Sequence, residues 1–210
     1  MKDLLQIWVT DIWSYVVVVR AQSKIQSMAE LVKFIRDNPG KVTYGSTGQG
    51  SPQQLATLLF AQTLALPAMT EIQYKGSSAA HPDLISNRID FMIDPQAASS
   101  PHIKSGSLRA LAVVTPQRNP NFPNVPTATE AGVTGHDFAG WGGVFAPAGT
   151  PPEIVLKLND EVAKALSSPD VRKRFEDLGL APKASKPQEF GDLVIAEMTR
   201  WKALLAGKKP

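Results

Sequence analysis

The sequence predicts an α/β protein organised around a mostly parallel sheet. Between residues 42 and 114, short apolar strands alternate with helical stretches at the spacing of βαβ units. Each strand passes into its helix through a loop of small and polar residues, and right-handed crossovers bring such loops to one edge of a sheet. The composition agrees. Of the 210 residues 43% are hydrophobic and 20% charged, enough to bury a core, and a net charge of +3 is too small for a disordered chain.

Residues 13–19 read as a buried strand, short and rich in β-branched and aromatic side chains. The apolar stretch ahead of them is broken by Asp3 and Asp11, unlike the core of a secretory signal, and no run approaches the ~20 residues that span a bilayer. Ser27 and Glu30 form a capping box before a helix with Leu31, Phe34 and Ile35 on one face, stopped by Asn38-Pro39-Gly40. A strand at 42–44 meets the loop Gly45-Ser46-Thr47-Gly48-Gln49-Gly50, and a helix opens with Ser51 as N-cap and Pro52 in its first position. A second strand at 71–74 leads through Lys75-Gly76-Ser77-Ser78 to a helix at 79–84. A third at 89–93 leads through Asp94-Pro95 to a helix ending near Ile103. Strand 108–114 follows, then a Pro- and Asn-rich connection, a short helix at 127–131 and a strand at 141–145. The remainder is helical. One helix starts at Thr150-Pro151 with Ile154, Leu158, Val162 and Leu166 on one face, and a second runs from Ser168-Pro169 to near Gly179. A third, from residue 185, carries Phe190, Leu193, Ile195, Met198 and Trp201. The composition shift over 140–149 marks a boundary between two lobes.

Gly45-Ser46-Thr47-Gly48-Gln49-Gly50-Ser51-Pro52 carries the most chemistry. The first amides of the helix behind it have no internal partner and sit at the positive end of its dipole. Glycines admit a ligand close to the backbone, and Ser46, Thr47 and Ser51 add hydroxyls, so the loop suits an anion. It is neither a Walker loop nor a dinucleotide fingerprint, and an ordinary tight βα connection is the plainer alternative. Lys75, Tyr74, Gly76 and Ser77 would lie beside it. Asp94 could bond a ligand hydroxyl or amine, although capping the helix after Pro95 is the better-supported role.

Other chemistries find little support. The chain has no cysteine, hence no thiol catalysis, Cys-ligated zinc or disulfide. His81, His102 and His136 lack metal-ligand spacing and read as surface or helix-end residues, and no cofactor motif is present. The four tryptophans Trp8, Trp13, Trp141 and Trp201 read as core or interface. Basic residues are scattered apart from Arg172-Lys173-Arg174 and Lys208-Lys209, which is no nucleic-acid stripe.

Several stretches, in order, resemble the extracytoplasmic receptors of tripartite tricarboxylate transporters, the Bug or TctC-like proteins. They are Asn38-Pro39-Gly40-Lys41 leading into Tyr44 through Pro52, then Tyr74-Lys75-Gly76-Ser77, residues 101–112, Asn124-Val125-Pro126-Thr127 with Glu130-Ala131-Gly132, and Ala146-Pro147-Ala148-Gly149-Thr150-Pro151. The resemblance implies periplasmic-binding-protein-like (type II) lobes, one complete βαβ lobe and a partial second one. Residues 1–22 would be a fragment of lobe 1 with the hinge, 23–140 lobe 2, and 141–210 the C-terminal half of lobe 1. It also implies a periplasmic protein that reversibly binds a small organic carboxylate without changing it, and passes it to membrane permease subunits.

Carried over by position, Gly45, Ser46, Thr47, Gly48, Gln49, Gly50 and Ser51 match the carboxylate-binding turn of the second lobe. Tyr74, Lys75, Gly76, Ser77 and Asp94 match other cleft-lining positions. Family members also carry a signal peptide and an N-terminal segment that builds most of lobe 1. The chain is therefore expected either to be truncated or to be a variant that fills the gap by self-association, with uncovered apolar helix faces after Thr150 that could serve as a homodimer surface. Two rivals are a hydrolase with Ser46 or Ser51 as nucleophile and His81 as base, and a ligandless remnant that self-associates.

Overall fold

The computed structural model describes residues 3–177, 180–183 and 185–207. The expected helix end at Gly179 and the Lys208-Lys209 cluster lie outside the described residues. The chain forms two compact units, divided between residues 13 and 14 and again between 139 and 140.

The strand expected at 13–19 is far longer. β1 runs Leu4–Arg20 and contributes to both units. In the larger unit it is followed by α1 (Met28–Asp37), β2 (Thr43–Ser46), α2 (Pro52–Thr63), β3 (Thr70–Gln73), α3 (Ser77–Ile85), β4 (Phe91–Pro95), α4 (Gln96–Lys104) and β5 (Leu108–Val113). The strand order is β3-β2-β4-β1-β5. β2 lies parallel to β3 and β4, whereas β1 is antiparallel to both β4 and β5. β2, β3, β4 and β5 therefore all run in one direction, the mostly parallel arrangement expected, and β1 alone runs against them. β1 enters without a preceding crossover helix in this unit, so nothing obliges it to run with the others. Residues 14–20, expected to belong with the first lobe, are held in the larger unit by pairing: Tyr15 faces Pro95, and Val16 faces both Asp94 and Val113.

Burial explains the run of valines. Val16, Val17, Val18 and Val19 are at most 1% exposed, a central strand covered on both faces. Each buried valine contributes roughly 1.5–3 kcal/mol. Val16 and Val18 pack with Ala80, Leu84, Ile89 and Met92. Helix α1 starts as expected, with Ser27 Oγ accepting from the Glu30 amide at 3.2 Å, but the Glu30 carboxylate reaches the amide of Gln26 rather than that of Ser27. The short helix expected at 127–131 is a turn, closed by Thr127 Oγ1 accepting from the Glu130 amide at 3.1 Å.

In the smaller unit, β6 (Ala139–Pro147) and β7 (Ala181–Pro182) pair with β1, β7 opposite Asp11 and Ile12. Helices α5 (Pro152–Ser167), α6 (Pro169–Asp177) and α7 (Pro187–Leu205) complete it. Gly140 and Gly143 let side chains lie flat on β6. A Cβ at Gly140 would stand 2.2 Å from the Trp13 indole, and one at Gly143 2.2 Å from Phe190 Cζ. The inward face of α5 differs from the expected one. Val155, Val162 and Leu166 pack on Ile7, Trp8 and Ala146, while Ile154 and Leu158 stay exposed. The helix has two apolar stripes, and the one containing Asn159 wins because its amide donates to Ile7 O at 2.6 Å and Ser185 O at 3.2 Å. On α7, Phe190 and Val194 are buried while Ile195 and Met198 are exposed. Leu5, Gln6, Val155, Leu156, Gly191 and Ile195 line an open groove of about 480 Å³ in this unit.

Candidate functional site

Parallel β2, β3 and β4 end at one edge of the sheet, so the loops behind them share a rim. Hydrogen bonds join the loops directly. Thr47 Oγ1 donates to Gln53 Oε1 at 2.9 Å, Gln53 Nε2 donates to Ser77 Oγ at 3.4 Å, and Ser77 Oγ donates to Asp94 Oδ1 at 2.6 Å. Asp94 Oδ2 accepts from Ser99 Oγ at 2.6 Å and pairs with His81 Nε2 at 2.9 Å. The rim continues to Ser14 on antiparallel β1, which donates to Gln96 Oε1 and accepts from Asn119 Nδ2 at 3.4 Å.

The first loop is organised differently from its expectation. Gly45 lies within β2 and faces the core, where a Cβ would stand 2.8 Å from Ile89 Cδ1, so it serves packing rather than ligand approach. Ser46 is fully buried, and its hydroxyl donates to Glu71 at 2.5 Å while accepting from the Gly48 amide at 3.0 Å. Gly48 and Gly50 have φ of 109° and 74°, the left-handed region that glycine tolerates. Ser51 caps α2 by accepting from the Gln54 amide at 3.3 Å, and Gln54 Oε1 takes the Gly50 amide at 2.6 Å. Gln54 Nε2 donates in turn to Glu71 at 2.8 Å. Side chains of the protein therefore occupy the amides of Gly48, Gly50 and Gln54. Among the described residues, those of Thr47, Gln49 and Gln53 donate to no protein group.

In the second loop the amides of Lys75, Gly76, Ser77 and Ser78 are likewise open, and the exposed Lys75 ammonium has no ion-pair partner among the described residues. The Tyr74 hydroxyl is committed elsewhere. It donates to Asp83 at 2.9 Å, and burial followed by that bond pushes its pKa up to about 12. Asp94 plays neither expected part. It is 0% exposed, makes no capping bond to α4, and ties the end of β4 to α3 and α4 through three donors. His81 and His136, expected at the surface, are 2% and 0% exposed; His81 also packs edge-on against His102 at 4.6 Å. Helix periodicity turns residue 81 inward beside Ala80 and Leu84, a position that only the register of α3 reveals.

Among the described residues, no serine–imidazole pair of the rival hydrolase forms. Ser46 donates to Glu71, Ser51 caps α2, and the described partner of His81 Nε2 is Asp94. Gln53, Glu71, Gln96, Ser99 and Ser14 are the residues that the motifs did not single out. Gln53, two places after the N-cap and inside the first helical turn, was the one with a local signal. Glu71 and Ser14 reach the rim only through strand pairing.

The helices behind these loops share an electrostatic feature. First turns elsewhere carry an acid, Glu30 in α1, Glu153 in α5, Asp170 in α6 and Glu189 in α7, whereas α2, α3 and α4 carry none. The acids near these helix starts come from the strands instead: Glu71 bonds Gln54 in the first turn of α2, and Asp94 bonds Ser77 at the start of α3 and directly precedes the Pro95 N-cap of α4.

The family model for tripartite tricarboxylate transporter family receptors matches residues 1–209. The chain belongs to this family. Its members are periplasmic solute-binding receptors. The chain is 37% identical over 205 residues to the UPF0065 protein in the tcbD-tcbE intergenic region of Pseudomonas sp. strain P51, covering 97% of this chain but spanning only 61% of that protein's length. It superposes on R. palustris Rpa4515 with adipate at a TM-score of 0.87 and 34% identity, covering 97% of this chain and 68% of that one. MatC (Rpa3494) from Rhodopseudomonas palustris with bound malate gives 0.85 at 29% identity, covering 96% of this chain and 69% of that one. The α/β fold is that of these two structures.

Proposed function

We propose that this TctC-family chain acts as a periplasmic solute-binding receptor, holding a small organic carboxylate reversibly and passing it unchanged to a membrane permease. One observation carries the reading. At a rim where three loops are bonded together, the amides of Thr47, Gln49, Gln53, Lys75, Gly76, Ser77 and Ser78 face no protein acceptor among the described residues, beside helices whose own first turns carry no acid. Backbone amides at such termini are strong seats for negative charge. Ser46, Thr47 and Ser77 all donate inward, so amides and Lys75, rather than these three hydroxyls, hold the ligand. The adipate and malate seen in the two neighbours fit the same chemistry.

A thermal-shift screen against malate, adipate and other di- and tricarboxylates tests the reading. An acid present at a hundred times its dissociation constant stabilises the fold by about 2.7 kcal/mol. Recovery of the acid chemically intact supports a receptor. Absence of any shift across the panel, or turnover of a bound ester, contradicts it.

A further inference from the structure

We propose that Gln53 is a positioning residue that makes the three rim loops move as one body; its consequence for affinity rests on the carboxylate-binding reading, its geometry does not. Gln53 is only 4% exposed, yet its carboxamide lies between loops from two different strands. The direction of the chain is fixed at its far end. Asp94 can only accept, so the Ser77 proton points to it and the Ser77 oxygen must receive its next bond. That oxygen receives the Gln53 amide NH₂, which turns the Gln53 carbonyl toward the Thr47 hydroxyl. Proton donation therefore runs one way, from Thr47 through Gln53 and Ser77 to Asp94, and His81 and Ser99 anchor the terminus in the core.

No side chain of this relay needs to touch a ligand. Thr47 is held so that its neighbouring amides, and those of Lys75 to Ser78, keep a fixed mutual spacing. A carboxylate recognised by both loops then meets a preformed seat, and the ordering that would oppose binding is already in place. Neither glutamate nor a shorter amide can replace Gln53: glutamate lacks the donor for Ser77, and asparagine lacks the reach.

The test is amide hydrogen exchange at bonded positions in each loop, Ser51 in the first and Ala79 in the second, whose acceptors are Gly48 O and Gly76 O. Gln53→Met keeps length and burial but removes both polar atoms. It should speed exchange about tenfold at Ser51 and at Ala79 alike. Ser77→Ala, a smaller change in case Gln53→Met fails to fold, should speed Ser51 as well as Ala79, and Ser77→Thr should restore both. Exchange that changes only in the substituted loop overturns the proposal. In parallel, dissociation constants for malate and adipate should rise about tenfold in Gln53→Met, with Gln53→Met/Ser77→Ala no weaker than either single variant. Coupled exchange in a protein that binds neither acid would leave the relay standing and remove the binding reading. Intact binding with uncoupled loops would do the reverse.

Discussion

Asp94 and His81 meet at 2.9 Å with both side chains closed off from solvent. Removing the imidazole takes one of three partners from the buried Asp94 carboxyl group, and a buried polar group left unsatisfied costs about 1–3 kcal/mol. His81→Ala, which also empties the space of a buried ring, should therefore lower the unfolding free energy by about 2 kcal/mol in a denaturant titration. Asp94→Asn should also cost stability, since one carbonyl oxygen replaces the two that now meet Ser77, Ser99 and His81. A loss under about 1 kcal/mol for His81→Ala would show that the pair contributes no more than an exposed one.

The glycines of β6 give a second expectation. A methyl at Gly143 would stand 2.2 Å from Phe190 Cζ, so Gly143→Ala forces the ring out of its place against Trp141 and Phe145. Overpacking of this kind costs about 1–3 kcal/mol. Adding Phe190→Leu should recover part of the loss, which a melting series on the two single variants and the double will reveal.

Asn159 links α5 to the backbone of β1 and of residue 185. Asn159→Leu strands two buried carbonyl groups, each worth about 1–3 kcal/mol when unsatisfied. The melting transition should drop clearly, whereas exposed Leu156→Ala on the same helix should leave it nearly unchanged.

Alkaline pH should destabilise the fold through two tyrosines. Burial raises the pKa of Tyr44 to about 12, with Glu71 adding to it, and burial with the Asp83 bond does the same for Tyr74. A group that holds its proton more tightly when folded gives stability that is full below the unfolded value of 10.0 and lost as pH climbs toward 12. Melting temperature should fall through that window, and Tyr74→Phe should flatten the fall. An unchanged slope in Tyr74→Phe would mean that its phenol titrates freely in the folded state.

Local signals made most of the larger unit readable. Ser51-Pro52 marks a helix start that needs no tertiary context, and the strand–loop–helix alternation is enough to place three loops on one rim. Tertiary partners decided the rest. Whether Ser46 donates to a ligand or to Glu71 depends on how β2 pairs with β3, and whether Asp94 caps a helix or anchors three elements depends on Ser77, His81 and Ser99 arriving from elsewhere. The antiparallel entry of β1 was equally hidden, because a run of valines suits either direction. On α5, two apolar stripes compete, and only the Asn159 bonds choose between them.

The rim amides can be watched directly. In a two-dimensional amide NMR titration with malate or adipate, resonances of Thr47, Gln49, Gln53 and Lys75 through Ser78 should shift together along one saturating curve, while those of the buried Val16–Val19 segment stay in place. Saturable binding that leaves these seven signals untouched, or no binding at all, would contradict a carboxylate seat built from backbone at this edge of the sheet.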